Sequence, residues 1–127
     1  MPSVLIADDD PQILAVLRRF LEAKGFDVHE ACDGNRALAA CREHPPAVAV
    51  VDLIMPGKEG LETIQEIRKL HPEVKVIAIS GGGLGSPGTY LSLAMRLGAH
   101  FSLAKPFGPA ELVRAIDELL SRGAAAS

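Results

Sequence analysis

Short hydrophobic runs alternate along this 127-residue chain with longer stretches whose apolar residues recur at helical spacing. The short runs predict five strands, at Val4–Ala7, Phe26–Ala31, Ala47–Val51, Val74–Ile79 and Phe101–Ala104. The longer stretches predict five helices, at Pro11–Gly25, Asn35–Glu43, Leu61–Leu70, Tyr90–Leu97 and Pro109–Leu120. Strict alternation of strands and helices predicts a parallel sheet that is covered by helices on both faces.

Local residues support this interpretation. Every residue of Ala47–Val51 is apolar, which is typical of a strand buried on both faces of a parallel sheet. Asp10 followed by Pro11 has the pattern of a helix N-cap and first helical residue, and Gly25 marks the end of that helix.

Composition excludes several classes of protein. The length predicts one domain, and 48% hydrophobic with 23% charged residues is typical of a globular fold. A net charge of −3 argues against a nucleic-acid-binding protein. The apolar runs are too short for a membrane span, and we expect no signal peptide. Cys32 and Cys41 form no CxxC pair, so we expect reduced thiols and a cytoplasmic protein.

Polar residues follow the predicted strands where their carboxyl ends meet. Asp8 and Asp9 follow the first strand, Asp52 the third and Ser80 the fourth, and Lys105 lies near the end of the fifth. Ligands of open α/β sheets bind at this edge. Three crowded carboxylates either raise a pKa or hold a cation, and hard oxygen ligands suit Mg²⁺. With the cation and Lys105 the local charge is near zero, so one carboxylate could accept a phosphoryl group.

Four motifs in this order resemble the receiver domain of bacterial two-component response regulators over essentially the whole chain. They are Leu5–Pro11 (LIADDDP), Val51–Gly57 (VDLIMPG), Ser80–Gly81 and Lys105–Phe107 (KPF). The resemblance implies a flavodoxin-like, doubly wound, five-stranded parallel sheet with strand order 2-1-3-4-5 and five helices.

The resemblance also implies the chemistry. Asp52 would be the phosphoacceptor. Asp8, Asp9, Asp52 and the backbone carbonyl of Ile54 would hold Mg²⁺, with Mn²⁺ as an alternative ion.

The other expected site residues would act on the phosphoryl group. Ser80 would hydrogen-bond one of its oxygens and report the modified state, and Lys105 would pair with the group. The Lys105–Pro106 peptide bond would be cis.

The expected function is that of a phosphorylation-dependent switch, not an enzyme. The phosphoryl donor would be a sensor histidine kinase or a histidine phosphotransfer protein, and phosphorylation would change the binding of a downstream protein that the sequence does not name. We expect a monomer or a phosphorylation-dependent dimer, without nucleic-acid binding or membrane insertion. Residues 1–121 would form the receiver domain and residues 122–127 a short flexible tail.

Two features depart from the family pattern. Many receivers have an aromatic residue three positions before the lysine, where this chain has Ser102; Phe101 should face the other side of the strand. The loop Gly81–Gly88 is long and glycine-rich, and we hypothesise that it and Tyr90 carry the phosphorylation signal instead.

Alternative functions stay open at this point. A binding-only degenerate receiver is one, although the intact Asp9, Asp52, Ser80 and Lys105 count against it. A small α/β phosphatase is another, but Ile54 stands where haloacid-type phosphatases have a second carboxylate. A nucleotide-binding protein is suggested by a G-x-G-x-x-G pattern at 83–88, but this pattern follows the fourth strand rather than the first.

Overall fold

The protein forms one parallel sheet between two helical layers. The structure is a computed structural model that describes residues 2–53, 60–80 and 87–126. The strands within these residues are β1 (Ser3–Ala7), β2 (Asp27–Ala31), β3 (Val48–Asp52), β4 (Lys75–Ser80) and β5 (Phe101–Ala104). The helices are α1 (Pro11–Ala23), α2 (Gly34–Glu43), α3 (Gly60–Leu70), α4 (Pro87–Leu97) and α5 (Pro109–Ala126).

The sheet has the strand order β2-β1-β3-β4-β5, and all its pairings are parallel. The predicted doubly wound sheet is therefore confirmed. The chain moves outward from β1 to β2 and then returns past β1 to β3. The carboxyl ends of β1 and β3 thus flank the point where the direction of winding reverses, which is where open α/β sheets bind ligands.

Both faces of the sheet are buried, as the apolar β3 predicts. Leu5, Val51 and Ala78 belong to a core cluster with residues of α2, α3 and α4. Ile6 and Val50, which point the other way, belong to a second cluster with residues of α1 and α5. All five residues of β3 are buried because helices cover both sides of it.

Helix ends follow local chemistry. The Asp10 side chain accepts a hydrogen bond from the Gln12 backbone N–H at 2.9 Å, so the predicted N-cap of α1 is confirmed. Gly25 follows that helix with φ of 96°, a backbone conformation that favours glycine.

Several element ends differ from the predictions. β3 and β4 each include one polar residue more, Asp52 and Ser80, because polar side chains do not stop the backbone ladder. α4 begins three residues before Tyr90. α5 continues past Leu120 to Ala126, so the predicted helix end is wrong; the alanine-rich sequence has high helix propensity. The division of the chain at residue 121 stays a prediction.

Candidate functional site

The ends of four strands bring the predicted polar residues to one edge of the sheet. Asp8 follows β1, Asp52 ends β3 and Ser80 ends β4, and all three are buried. Lys105 directly follows β5, and its backbone N–H donates to the carbonyl oxygen of Ser80 at 2.8 Å. Asp9, beside Asp8, is exposed. The sheet therefore places an acidic cluster at the switch point with one end open to solvent.

The three carboxylates lie close enough to share one cation. One oxygen each from Asp8, Asp9 and Asp52 lie within 4.8 Å of one another. Like charges at this separation repel strongly when two of the groups are buried. An all-oxygen set of three carboxylates, with one open side for water, fits a hard divalent cation such as Mg²⁺.

Lys105 is the counter-charge within the cluster. Its Nζ lies 2.9 Å from Asp52 Oδ2 and 3.0 Å from Asp8 Oδ2. Burial lowers the pKa of Lys105, but its bonds to Asp52 and Asp8 outweigh that effect and hold the pKa above its ordinary value. The amine therefore stays charged at neutral pH, and the four groups together carry a charge of −2 when all three carboxylates are ionised. The Lys105–Pro106 peptide bond is cis.

The two oxygens of Asp8 have different partners. Oδ2 accepts from Lys105, and Oδ1 accepts from the Asp10 backbone N–H at 2.9 Å. The Asp8 carboxylate is thereby fixed between the start of α1 and the end of β5. Asp10 itself caps α1, so three consecutive aspartates have three different surroundings.

Ser80 has an unusual environment. Its side chain is fully buried, and within the described part of the chain its Oγ has no hydrogen-bond partner. A buried hydroxyl without a partner is costly, and such a group calls for a functional or structural reason. It ends β4, the strand next to the one that ends in Asp52. A polar ligand bound beside Asp52 would supply the missing partner.

Gly60, the first residue of α3, was not predicted as part of the site. A Cβ atom at this position would lie 2.3 Å from the Asp52 carbonyl oxygen and 2.4 Å from Leu53 Cα. The Gly60 N–H also donates to the Leu53 carbonyl at 3.2 Å. The helix thus begins directly against the backbone of Asp52, and only glycine fits. A glycine before the predicted helix was the available sequence signal, but it does not reveal this contact with the end of β3.

Ser102 and Phe101 lie on opposite sides of β5, as predicted. Phe101 packs against the α1–α5 cluster. Ser102 is paired in register with Ala78, which belongs to the α2–α3–α4 cluster. The α4-facing side of β5 therefore has a hydroxyl at the position where many receivers have an aromatic ring.

Some predictions lie outside the described residues. These are the metal-binding carbonyl of Ile54 and the loop up to Ser86. Residues 87 and 88, which complete the G-x-G-x-x-G pattern, belong to the first turn of α4.

Comparison with known proteins agrees with this fold and site. The sequence model of the family described as the response regulator receiver domain matches residues 4–117 of this chain. The chain therefore belongs to the response regulator receiver domain family, whose members are phosphoacceptor signalling modules of two-component systems.

Individual relatives support the assignment. The chain is 35% identical to response regulator GtcR of Aneurinibacillus migulanus over 94% of its own length and 48% of the relative. It is 36% identical to the transcriptional regulatory protein PrrA of Mycobacterium tuberculosis over 95% of its own length and 51% of the relative. The chain thus spans about half the length of these curated relatives.

Solved structures agree as well. A CheY-like receiver domain protein from Methanospirillum hungatei superposes with a TM-score of 0.91 at 28% identity, covering 100% of this chain and 99% of that one. A receiver domain protein from Clostridium thermocellum superposes with a TM-score of 0.91 at 29% identity, and the match covers 100% of both chains. None of the helices in the described part of this chain has the length and apolarity that a membrane span requires.

Proposed function

We propose that this chain is a phosphorylation-dependent switch of the cytoplasm, in which Asp52 accepts a phosphoryl group from a phosphohistidine. The observation that carries the proposal is the cluster of Asp8, Asp9 and Asp52 bridged by Lys105. It combines a buried carboxylate, three carboxylates close enough to share a cation and a fixed positive charge at one edge of the sheet. The Ser80 hydroxyl, which has no partner among the described residues, adds a hydrogen-bonding group on the adjacent strand.

In the proposed transfer, a carboxylate oxygen of Asp52 forms a bond to phosphorus as the phosphorus–nitrogen bond of the donor breaks. The imidazole leaves with the electron pair and takes up a proton. Lys105 stabilises charge on the phosphoryl oxygens, and Ser80 hydrogen-bonds one of them. Asp8, Asp9 and Asp52 would hold Mg²⁺, which would supply neutralising charge for the phosphoryl oxygens. The carbonyl of Ile54 stays a predicted further ligand.

Phosphorylation would act on partners through charge. The acyl phosphate carries a charge of about −2 where the Asp52 carboxylate carried −1, and new hydrogen bonds to Ser80 and Lys105 would bias β4 and β5. The residues at 81–90 are the proposed signalling segment. We expect their amide exchange to differ with and without a phosphoryl mimic, and equal exchange would refute this part of the proposal.

Intact-mass spectrometry after incubation with acetyl phosphate tests the chemistry. We expect one phosphoryl adduct that requires Mg²⁺ and is absent from Asp52→Asn. Asp10→Asn is a matched control, because it removes a neighbouring charge while keeping a good helix cap. Its adduct should form as in the wild type. An adduct retained in Asp52→Asn would contradict the proposal. A folded wild type without any adduct would mean either a strict need for the cognate kinase or a binding-only domain, and titration of Mg²⁺ binding would separate these two outcomes.

A groove beside the site supports docking of the phosphodonor protein. A cavity of about 410 Å³ with largely apolar walls lies here, and its lining includes Ile13, Val16 and Leu17 of α1 together with Lys105, Pro106, Phe107 and Pro109. Val16 is 58% exposed although it is apolar. Lys105 belongs both to the groove and to the site, so a protein bound in the groove would lie beside Asp52. A sensor histidine kinase or histidine phosphotransfer protein is therefore the proposed occupant.

Two matched substitutions test the groove. Val16→Asp should slow phosphoryl transfer from a phosphohistidine protein but leave uptake from acetyl phosphate unchanged. Leu70→Asp is the control, since Leu70 is 63% exposed on α3 and does not line this groove. Equal effects of both substitutions on protein-dependent transfer would count against the proposed docking surface.

Loss of the phosphoryl group is proposed to be slow. Ile54 and Gly82 offer no side chain that could orient an attacking water. A half-life of a few seconds at neutral pH would contradict this.

Whether phosphorylation converts a monomer to a dimer is tested by light scattering with and without the phosphoryl mimic.

A further inference from the structure

His100, between α4 and β5, makes two hydrogen bonds to one residue of β4. Its backbone N–H donates to the Val76 carbonyl at 2.7 Å, and its Nδ1 accepts from the Val76 N–H at 3.0 Å. Val76 is fully buried and precedes Ile77, the first β4 residue paired with β5. The histidine side chain thus satisfies a buried backbone donor at the point where the β4–β5 ladder begins.

The accepting nitrogen defines the protonation state of the ring. Nδ1 can accept a hydrogen bond only when it carries no proton, so the ring is neutral with its proton on Nε2. An imidazolium has donors at both nitrogens. Protonation would therefore place the Nδ1–H donor of the ring opposite the Val76 N–H donor. The buried Val76 N–H would then have no acceptor.

The surroundings of His100 oppose its protonation. Burial lowers the pKa of His100, and so do the charges of Arg68 on α3, Lys75 on β4 and Arg122 on α5. Among the described residues, no carboxylate raises the pKa of His100 against these effects. The folded protein therefore holds His100 neutral at pH values where an exposed histidine begins to take up a proton.

The end of α4 is joined to the same junction. The Ala99 N–H donates to the Ala94 carbonyl at 2.9 Å, which ties the residue before His100 to the helix. Gly98 has φ of 122°, and the Arg68 side chain lies directly against it. Loss of the His100–Val76 hydrogen bonds would thus loosen the last turn of α4 as well as the first residues of β5.

We propose that the neutral side chain of His100 holds the first paired residues of β4 and β5 together, and that protonation of the ring releases them. We call this arrangement the His100 latch. The same two strands end at Ser80 and lead into Lys105, so the latch anchors the far ends of the strands that position both groups. This inference does not depend on phosphorylation of Asp52.

The sign of the pH dependence follows from the lowered pKa. The unlatched state takes up a proton more readily than the latched state does. Closure is therefore complete above the ordinary histidine pKa of about 6.5 and weakens as the pH falls. Between that pH and the pKa of the latched ring, protection of the Val76 amide should fall by up to about tenfold per pH unit.

NMR on the full chain tests the latch. We expect the Nε2–H tautomer of His100 at neutral pH, and a hydrogen-exchange protection factor of Val76 that falls below about pH 6.5. In His100→Asn, Oδ1 can take the place of Nδ1 as an acceptor that does not titrate. Val76 protection should then be independent of pH, while His100→Leu should have low protection throughout.

The Val50 amide of β3 is the internal control, because acid unfolding of the whole domain would expose it as well. A proton on Nδ1 at neutral pH would overturn the proposal. So would the same pH dependence of Val76 protection in wild type and His100→Asn. If His100→Leu does not fold, the comparison of wild type with His100→Asn still decides.

Discussion

Neutralising Asp52 should make the metal-free protein more stable, although the substitution breaks an ion pair. Asp52 lies 2.9 Å from the Lys105 amine, an attraction of about 6 kcal/mol at an effective dielectric constant of ~20. The Asp8 carboxylate, at most 4.8 Å away, repels it by about 3.5 kcal/mol or more. Exposed Asp9 adds about 1 kcal/mol after solvent screening.

The cost of desolvation decides whether Asp52→Asn raises or lowers the free energy of unfolding. Asp52 is 5% exposed, and burial of an ionised carboxylate costs several kcal/mol even in a relaxed protein. Repulsion and desolvation together exceed the attraction to Lys105. We therefore expect Asp52→Asn to raise the free energy of unfolding by about 1–2 kcal/mol in metal-free buffer.

Urea denaturation with and without Mg²⁺ is the assay. Lys105→Met is the opposite perturbation, since it leaves two buried carboxylates without their counter-charge, and it should lower stability by about 3–5 kcal/mol. Saturating Mg²⁺ should stabilise the wild type by about 2.7 kcal/mol at one hundred times the dissociation constant, and Asp52→Asn by less. A destabilised Asp52→Asn, or equal stabilisation of both proteins by Mg²⁺, would refute the electrostatic reasoning.

Other predictions follow from packing and from thiol chemistry. Gly60→Ala should lower stability by about 3 kcal/mol in urea denaturation, because the new Cβ meets rigid backbone; Gly108→Ala, with its nearest atom at 4.0 Å, should change it by less than about 0.5 kcal/mol. Equal effects would contradict the packing argument. Burial, followed by the charge of Glu73, raises the pKa of Cys41 to about 11, whereas Cys32 is exposed. Iodoacetamide at neutral pH should therefore alkylate Cys32 in the native protein and reach Cys41 only in urea, and equal native rates would contradict this.

The pattern of apolar residues was sufficient to predict a parallel sheet covered by helices on both faces, whereas the strand order followed from the family resemblance. Helices and strands differ in period, and an apolar run such as β3 requires cover on both faces. The strand ends were less predictable. Asp52 and Ser80 are polar and terminate the apolar runs, but their backbones still belong to the ladder.

The site was predictable as a set of residues, but its contacts were not. Parallel topology brings the strand ends together, which is why Asp8 and Lys105, 97 positions apart, are in contact. Local sequence patterns do not indicate that Lys105 bridges two carboxylates, that Ser80 has no partner within the described ranges or that Gly60 lies against Asp52. These contacts depend on the three-dimensional register of elements that local patterns do not specify.

The central claim is that Asp52 carries the phosphoryl group, and locating the modified residue tests it most directly. The protein would be phosphorylated with acetyl phosphate and Mg²⁺, then treated with borohydride, which reduces an acyl phosphate of aspartate to homoserine. Peptide sequencing by tandem mass spectrometry should find homoserine at position 52 and unmodified aspartate at positions 8 and 9. Homoserine at position 8 or 9, or modification of a hydroxyl or histidine instead, would contradict the account.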